Sequence, residues 1–299
     1  MKNINQSAFD ASSSYILNNA RYLEKLLLGH YFISPCGEKV VKALKMYQNK
    51  DGGYGNGLEP DFRMSFSSPM ATSIALRILA EFTETEGALE QINLALLYLE
   101  STYNEELKGW ESTSKMVNLF PHAPWWTYRA TERELSGNPS AEIVGYLYKF
   151  RNIRDKLDII QLKNYYLNKL VSSNLDEEHE LMCYIRMYNH MSDIDQDIML
   201  PYLTVAYQKI VTINPEDWNN YTPYPLKFVE LSKADLFEVS EDLLNENLQF
   251  LLNKLSLIGH IIPSWSWDSY LEEWEVAKRE WSGILTLDAL RILRRYKLL

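Results

Sequence analysis

The stretch Gln48-Asn49-Lys50-Asp51-Gly52-Gly53-Tyr54-Gly55 decides the fold of this chain. It follows the apolar run Val40-Val41-Lys42-Ala43-Leu44, so it predicts a helix that stops abruptly at a glycine-rich turn. Its glycines permit the positive φ angles that other residues resist, and its aspartate is suited to bond the backbone of the turn. The stretch therefore indicates a tight junction, closed by an aromatic side chain, between two consecutive helices.

The same arrangement recurs later in the chain. A predicted helix from Leu94 to Tyr103 is followed by a turn that ends in Gly109-Trp110, and one from Leu248 to Leu257 is followed by Gly259 and Trp265. Such repeats bury their faces on their neighbours, and closing them into a ring removes exposed ends.

The string Q-x3-G-x-Y at residues 48–54 resembles the QW repeat of the terpenoid cyclase and prenyltransferase superfamily, with Tyr54 where that motif usually has Trp. This resemblance implies an all-α fold, an α/α toroid (α/α barrel) of repeated helical hairpins. It does not imply a reaction, because the DxDD, DDxxD and zinc motifs of the superfamily are missing. The alternating acids Asp193, Asp195 and Asp197 depart from DxDD and are predicted to begin a helix, where carboxylates complement the helix dipole.

The remaining pattern predicts helices nearly throughout and no strands. Ser68-Pro69 and Asn138-Pro139 are start signals, since they place a cap residue and a proline before an apolar face. No linker rich in Gly, Ser or Pro divides the chain, so residues 1–299 are predicted to form one toroid domain. Further helices are predicted from Ala11 to Leu28, Glu38 to Tyr47, Ala88 to Tyr103, Leu157 to Ser172, His179 to Met191, Ile198 to Val211, Pro225 to Leu231, Ser240 to Leu255 and Gly283 to Tyr296.

Composition narrows the class of protein. Of 299 residues, 46% are hydrophobic and 23% charged, an ordinary globular balance. The net charge of −10 argues against a nucleic-acid partner, whose phosphates would be repelled. No run reaches the ~18 apolar residues of a membrane span, and the N-terminal residues do not resemble a secretory signal. Two distant cysteines suggest no disulfide framework, so a cytoplasmic setting is expected.

The loop after the glycine turn carries the first candidate site residues. Glu59 and Asp61 flank a proline that fixes the backbone, and Arg63 is able to pair with either carboxylate. Loops at one end of a toroid surround its central cavity, so Glu59 and Asp61 are candidate catalytic acids and Arg63 a candidate substrate-binding residue. The alternative is a salt-bridged cap on the loop.

The segment Pro121-His122-Ala123-Pro124-Trp125-Trp126 is the second candidate, with Glu132 and Glu134 shortly downstream. Its two prolines hold the backbone extended, while His122 titrates near neutral pH when unperturbed. His122, Trp125 and Trp126 are therefore candidate substrate-binding residues. In the alternative interpretation the tryptophans plug the barrel and His122 bonds a backbone carbonyl.

Two further aromatic loops supply the remaining candidates. Trp265 and Trp267 alternate beside Asp268, which would be a catalytic acid if the tryptophans desolvated its carboxylate. Trp218 and Tyr221 form a similar polar and aromatic loop. These four aromatic residues are candidate substrate-binding residues, although packing explains them equally well.

No cofactor motif and no metal site is predicted. His179 and Cys183 are four residues apart and could share a helix face, but no further zinc ligands with recognisable spacing accompany them. Phosphate loops, nucleophile elbows and dinucleotide fingerprints are also missing.

These patterns predict a small-molecule ligand in a central cavity on which Glu59, Asp61, His122, Trp125, Trp126, Trp267 and Asp268 converge. Within the enzyme interpretation, tryptophan with carboxylate suits both carbohydrate chemistry and terpenoid carbocations. The other interpretation is a binding or scaffold protein that kept the toroid without catalysis, because fold alone does not determine function.

Overall fold

Helices make up the regular secondary structure of this protein. The computed structural model describes residues 2–129, 135–154, 156–229 and 236–299, with side chains from Gln6 onward. Within these ranges the extended pairings are isolated β-bridges, so the predicted all-α class is confirmed. The twelve α-helices of the described residues are α1 (Lys2–Asn19), α2 (Tyr22–Phe32), α3 (Gly37–Leu44), α4 (Pro69–Leu79), α5 (Ala88–Thr102), α6 (Ser140–Lys149), α7 (Ile159–Ser172), α8 (Glu178–Tyr188), α9 (Asp193–Ile210), α10 (Pro225–Val229), α11 (Glu241–Ile258) and α12 (Leu271–Arg295).

Caps in the sequence explain where several helices begin. The Ser68 side chain accepts a hydrogen bond from the backbone N–H of Ala71, and Pro69 occupies the first position of α4, as the sequence predicts. Helix α9 begins at Asp193, five residues before the predicted start at Ile198, so Asp193 and Asp195 lie in its first turn. The interpretation of the 193–197 acids as a helix start is confirmed.

Two predicted helices differ most from the observed ones. The segment predicted as one helix from Ala11 to Leu28 belongs to α1 and α2, because Arg21 between them is extended. Helix α12 begins at Leu271, twelve residues before the predicted start at Gly283. Acids in its first turn and buried aromatic and small side chains along one face favour that earlier start.

The described residues divide into two compact units. Unit one takes its residues from Met1–Leu44, Val211–Glu230 and Glu238–Leu299, and unit two from Lys45–Ile210 and Leu231–Phe237. The organisation of the whole chain as one toroid domain stays a prediction. None of the helices in the described ranges is long and apolar enough to cross a bilayer.

Unit two is built from consecutive helices that pair and alternate helices that pack on each other. Helix α4 packs on α5, α6 on α7, and α8 on α9. In addition, α6 packs on α4 and α8, while α7 packs on α9. The result is two layers of helices, one formed by α4, α6 and α8 and the other by α7 and α9, while α5 packs on α4.

Buried ion pairs hold each layer together. Glu142 of α6 accepts two hydrogen bonds from Arg77 of α4, both 2.9 Å, and one of 3.1 Å from Arg186 of α8. Burial alone would raise the pKa of Glu142, but the Arg186 and Arg77 guanidinium groups together lower it. In the other layer, Lys163 of α7 donates to both carboxylate oxygens of Asp195 of α9, at 2.7 and 2.9 Å.

Unit one repeats the alternation. Helix α1 packs on α2, α11 and α12, and α2 packs on α3 and α12. Helix α11 ends at Ile258 and is capped by Gly259, whose φ of 78° is the left-handed conformation that favours glycine at this position. The backbone N–H of Ile261 then bonds the Thr286 hydroxyl at 2.9 Å, which fixes the following loop on α12.

The turn at residues 48–54 is fastened to α5. The Gln48 amide donates to the carbonyl oxygens of Gly52 and Gln91, at 3.0 and 3.2 Å. Asp51 accepts from the backbone N–H of Gly53 at 3.0 Å, as expected for this turn. Tyr54 is fully buried and its backbone N–H bonds the Thr72 hydroxyl, so the turn also joins α4.

Candidate functional site

In unit two, the loop that carries Glu59 and Asp61 lies directly against the loop that carries His122. The backbone N–H of Arg63 donates to Pro121 O and that of Ala123 donates to Asp61 O, both at 2.8 Å. This short antiparallel pairing joins two loops that are about 60 residues apart in sequence. The structure therefore brings the first two groups of predicted site residues together.

The predicted acids of this loop are buried. Glu59 is 6% exposed and Asp61 4%. The backbone N–H of Asp61 donates to the Glu59 carboxylate at 3.2 Å, so Glu59 helps to shape the loop. The Arg63 guanidinium packs over Gly57, where a β-carbon would lie 3.3 Å from Arg63 Cζ. These contacts fix the loop on which Trp126 packs.

Trp126 packs on this paired segment, while Trp125 faces outward. The rings of Phe62 and Trp126 meet edge to face with centroids 5.4 Å apart, and Phe62 is fully buried. Trp125 is 52% exposed. The two adjacent tryptophans thus have different surroundings, one partly anchored on the core and the other open to a ligand.

A cleft of about 250 Å³ opens beside these tryptophans. Three segments of the long connection between α5 and α6 form its wall, and its lining is mostly polar. The described lining residues are Trp110, Glu111, Ser112, Thr113, Trp125, Trp126, Thr127, Tyr128, Arg129, Leu135, Ser136 and Asn138. Trp125 and Trp126 are the predicted site residues among them.

Glu111 and Tyr128 form a hydrogen-bonded pair in the cleft. The Tyr128 hydroxyl donates to the Glu111 carboxylate, with both oxygens 3.2 Å away. Desolvation and then the Glu111 charge raise the pKa of Tyr128, so the phenol keeps its proton at neutral pH. The pair offers a ligand a negative carboxylate and the free lone pairs of a phenol oxygen.

Trp110 positions Glu111. Its side chain is buried, its indole N–H donates to Leu99 O of α5 at 2.8 Å, and its backbone N–H bonds the Ser140 hydroxyl of α6 at 3.0 Å. Because Trp110 is fixed between these two helices, the next residue emerges at the cleft. Sequence reasoning missed Glu111 and Tyr128, although Glu111 directly follows the aromatic residue of the second turn repeat.

His122 links the buried loops to the cleft. The ring is 7% exposed, with Nδ1 2.6 Å from Phe120 O and Nε2 3.1 Å from the Thr127 hydroxyl oxygen. A carbonyl oxygen only accepts hydrogen bonds, so we assign the proton of the neutral ring to Nδ1. Nε2 then accepts from Thr127, an exposed residue of the cleft wall. The predicted bond from His122 to a backbone carbonyl is present.

In unit one, the other two aromatic loops also meet. The rings of Tyr221 and Trp265 lie edge to face at 5.5 Å, and Trp265 packs on Trp281 at 5.3 Å. Trp218 and Trp267 are fully buried side chains, which is the packing role that the sequence left open. Their substrate-binding role stays a prediction.

Asp268 is exposed and is not enclosed by the tryptophans beside it. Its carboxylate accepts a 2.9 Å hydrogen bond from the Ser266 hydroxyl, and its φ is 56°. The desolvation expected to favour an acid at this position is therefore missing, and a catalytic role for Asp268 stays a prediction. Glu132 and Glu134 lie outside the described residues.

Within the described ranges, no group of three or more His, Cys, Asp or Glu side chains could hold a metal ion. Cys183 is buried on α8, with Sγ 3.6 Å from Asn138 Oδ1 and 3.8 Å from Glu142 Oε2. Burial raises the pKa of its thiol, so it stays protonated at neutral pH. These contacts describe a buried cysteine that packs between helices.

Among known proteins, no family model matches this chain, and neither a curated protein nor a solved structure matches it.

Proposed function

We propose that this protein is a small-molecule enzyme on an α/α toroid, and that its cleft at Trp125 binds a hydroxylated ligand about the size of one sugar ring. Two kinds of observation support the proposal: the packing of helices within each unit supports the toroid, and the cleft supports the ligand class.

The toroid is supported by the alternation that both units share. In unit two, α4, α6 and α8 form one layer and α7 and α9 form the other. In unit one, α2 packs on α12 in the same alternate fashion, with α1 beside both. The described aromatic segments at residues 45–68, 103–129 with 135–139, 211–224 and 259–270 each precede an even-numbered helix. In a closed ring of such pairs these loops would gather at one end.

The class of ligand is inferred from the half-exposed ring of Trp125 and the Glu111–Tyr128 pair, which line the same cleft. Sugars present an apolar face of C–H groups to an aromatic ring and hydroxyls at their edge to polar partners. Both kinds of partner are present here. A terpenoid hydrocarbon is less suited, because most of the described lining side chains are polar and would lose hydrogen bonds to water. The volume, somewhat below the roughly 300–1,000 Å³ of drug-sized pockets, favours a small ligand.

Glu111 is the candidate for acid or base chemistry in this proposal. It is the one carboxylate among the described lining residues, whereas Glu59, Asp61 and Asp268 do not line the cleft. Catalytic roles for those three acids remain predictions.

The single carboxylate of the described cleft lining favours a second candidate, a binding protein without catalysis. Most glycoside hydrolases use two carboxylates that flank the bond to be broken, and the described cleft wall supplies one. Incubation with glycosides and sugar esters, followed by NMR of the products, separates the two: turnover that is lost on Glu111→Gln supports the enzyme.

Ligand binding is tested by saturation-transfer difference NMR with a panel of neutral monosaccharides, and with farnesol as the terpenoid comparison. We expect binding of at least one sugar, weakened about tenfold or more by Trp125→Ala, which corresponds to roughly 1.4 kcal/mol. Tyr22→Ala is the matched control, because Tyr22 is also an exposed aromatic residue and lies on α2. Binding of farnesol alone, or equal sugar binding by the Trp125 variant, would contradict the proposal.

A further inference from the structure

We propose that Thr127 and His122 form a nucleophile and general-base pair that transfers acyl groups from esters of the hydroxylated ligand. This inference rests on the proposed function, because Thr127 lines the same cleft. It assigns His122 a role in the reaction itself, in addition to the binding role predicted from the sequence.

Thr127, His122 and the Phe120 carbonyl contact one another in the order that an activated nucleophile requires. An activated hydroxyl nucleophile needs a base within hydrogen-bond reach, and the base needs a third group that orients it. Here the Thr127 oxygen is 3.1 Å from His122 Nε2, and Nδ1 is 2.6 Å from Phe120 O. The carbonyl takes the orienting position that a carboxylate occupies in many hydrolases.

The two hydrogen bonds of the His122 ring have a defined direction. With the proton on Nδ1, Nε2 keeps the lone pair of the neutral ring and faces the Thr127 hydroxyl. In the opposite tautomer, a nitrogen lone pair would face a carbonyl oxygen at 2.6 Å, which is repulsive. Thr127 therefore donates its hydrogen inward, which leaves its oxygen lone pairs available on the cleft side.

His122 and Thr127 differ in their exposure to solvent. His122 is buried, whereas Thr127 is exposed on the cleft wall. A ligand in the cleft can therefore reach the nucleophile, while the base is mostly shielded from bulk water. Trp125 precedes Thr127 by two residues, and both line the cleft. A ring stacked on Trp125 would therefore lie close to Thr127.

The reaction is balanced without a cofactor. Thr127 Oγ1 forms a bond to the ester carbonyl carbon while its proton passes to His122 Nε2. The tetrahedral intermediate collapses, the bond to the leaving alcohol breaks, and that alcohol takes the proton from His122. Water then attacks the acyl-threonine with His122 as base, which releases the carboxylic acid and restores the hydroxyl.

A fluorophosphonate probe tests the pair without knowledge of the substrate. Attack by Thr127 forms an O–P bond and expels fluoride, with the proton passing to His122, and mass spectrometry of peptides locates the adduct. Ser136 is the matched control, because it is an exposed hydroxyl of the same cleft whose oxygen bonds the backbone of Asn138. We expect Thr127 to be labelled about 100-fold faster than Ser136 or more. His122→Gln should slow the labelling of Thr127 by a similar factor.

Equal labelling of Thr127 and Ser136, or unchanged labelling of Thr127 in His122→Gln, would overturn the proposal. Should His122→Gln fail to fold, the comparison of the two hydroxyls within the unaltered protein decides. A second measurement on the unaltered protein uses ¹⁵N-histidine NMR, in which His122 should show the Nδ1–H tautomer. The Nε2–H tautomer would overturn the assignment.

The experiments distinguish this inference from the proposed function. Sugar binding without Thr127 labelling removes the catalytic pair and leaves the ligand class. Selective Thr127 labelling without sugar binding leaves the pair and removes the ligand class.

Discussion

The hydroxyl of Tyr54 donates a 2.9 Å hydrogen bond to the side-chain oxygen of Gln91, 37 residues further along the chain. Both side chains are buried, and burial raises the pKa of Tyr54, so the phenol remains a donor throughout the neutral range. The aromatic residue that closes the turn is thereby fixed to helix α5.

Tyr54→Phe should lower the free energy of unfolding by roughly 1–2 kcal/mol, because one buried hydrogen bond is removed while the ring still fills its site. Chemical denaturation measures the difference. Tyr22→Phe, at an exposed position, should change stability by less than about 0.5 kcal/mol. Equal effects of the two substitutions would show that the bond to Gln91 contributes nothing.

Gly52→Val should destabilise the protein by about 1–3 kcal/mol through local strain. Gly52 has a φ of 90°, and a β-carbon there would overlap Leu94 O. Gly53→Val should also destabilise, since its β-carbon would lie 2.6 Å from Tyr98 Cγ. Thermal melts of both variants and of Lys50→Val, an exposed change in the same turn, test this. Unchanged melting temperatures in the glycine variants would contradict it.

Glu142→Gln should destabilise by roughly 3 kcal/mol at pH 7, because it leaves two partly buried guanidinium groups without their carboxylate. The folded-state pKa of Glu142 is lowered, so its contribution is present above the unfolded-state pKa of about 4.3 and is lost as pH falls through the folded-state pKa. The gap in melting temperature between variant and unaltered protein should therefore shrink below about pH 4. Glu246→Gln, an exposed control, should show no such gap, and a gap for Glu142→Gln that is constant down to pH 3 would contradict the prediction.

The convergence of Glu59, Asp61, His122, Trp125, Trp126, Trp267 and Asp268 on one central cavity stays a prediction, and a crystal structure with a bound sugar tests it.

Helix positions were largely predictable, because caps and apolar faces are local properties. Ser68 and Pro69 determine the start of α4 within four residues of sequence. The break between α1 and α2 was missed, since it consists of the extended residue Arg21 at the start of α2. A break this short leaves the apolar periodicity intact.

The candidate site was less predictable. Trp125 and Trp126 were recognised from their Pro-rich context, but the same reasoning selected Trp218 and Trp267, which are buried. Sequence alone does not distinguish a tryptophan that packs from one that binds. Glu111 was missed because its place at the cleft depends on bonds from Trp110 to α5 and α6, and these are tertiary contacts.

The clamp of Arg77, Glu142 and Arg186 also restricts how unit two is able to move. A slip of α6 by one helical turn, about 5.4 Å along its axis, would separate Glu142 from both arginines at once. The register of α6 is therefore locked to that of α4 and α8. Ser140, which bonds Trp110, lies in the first turn of this locked helix, so one wall of the cleft is preorganised.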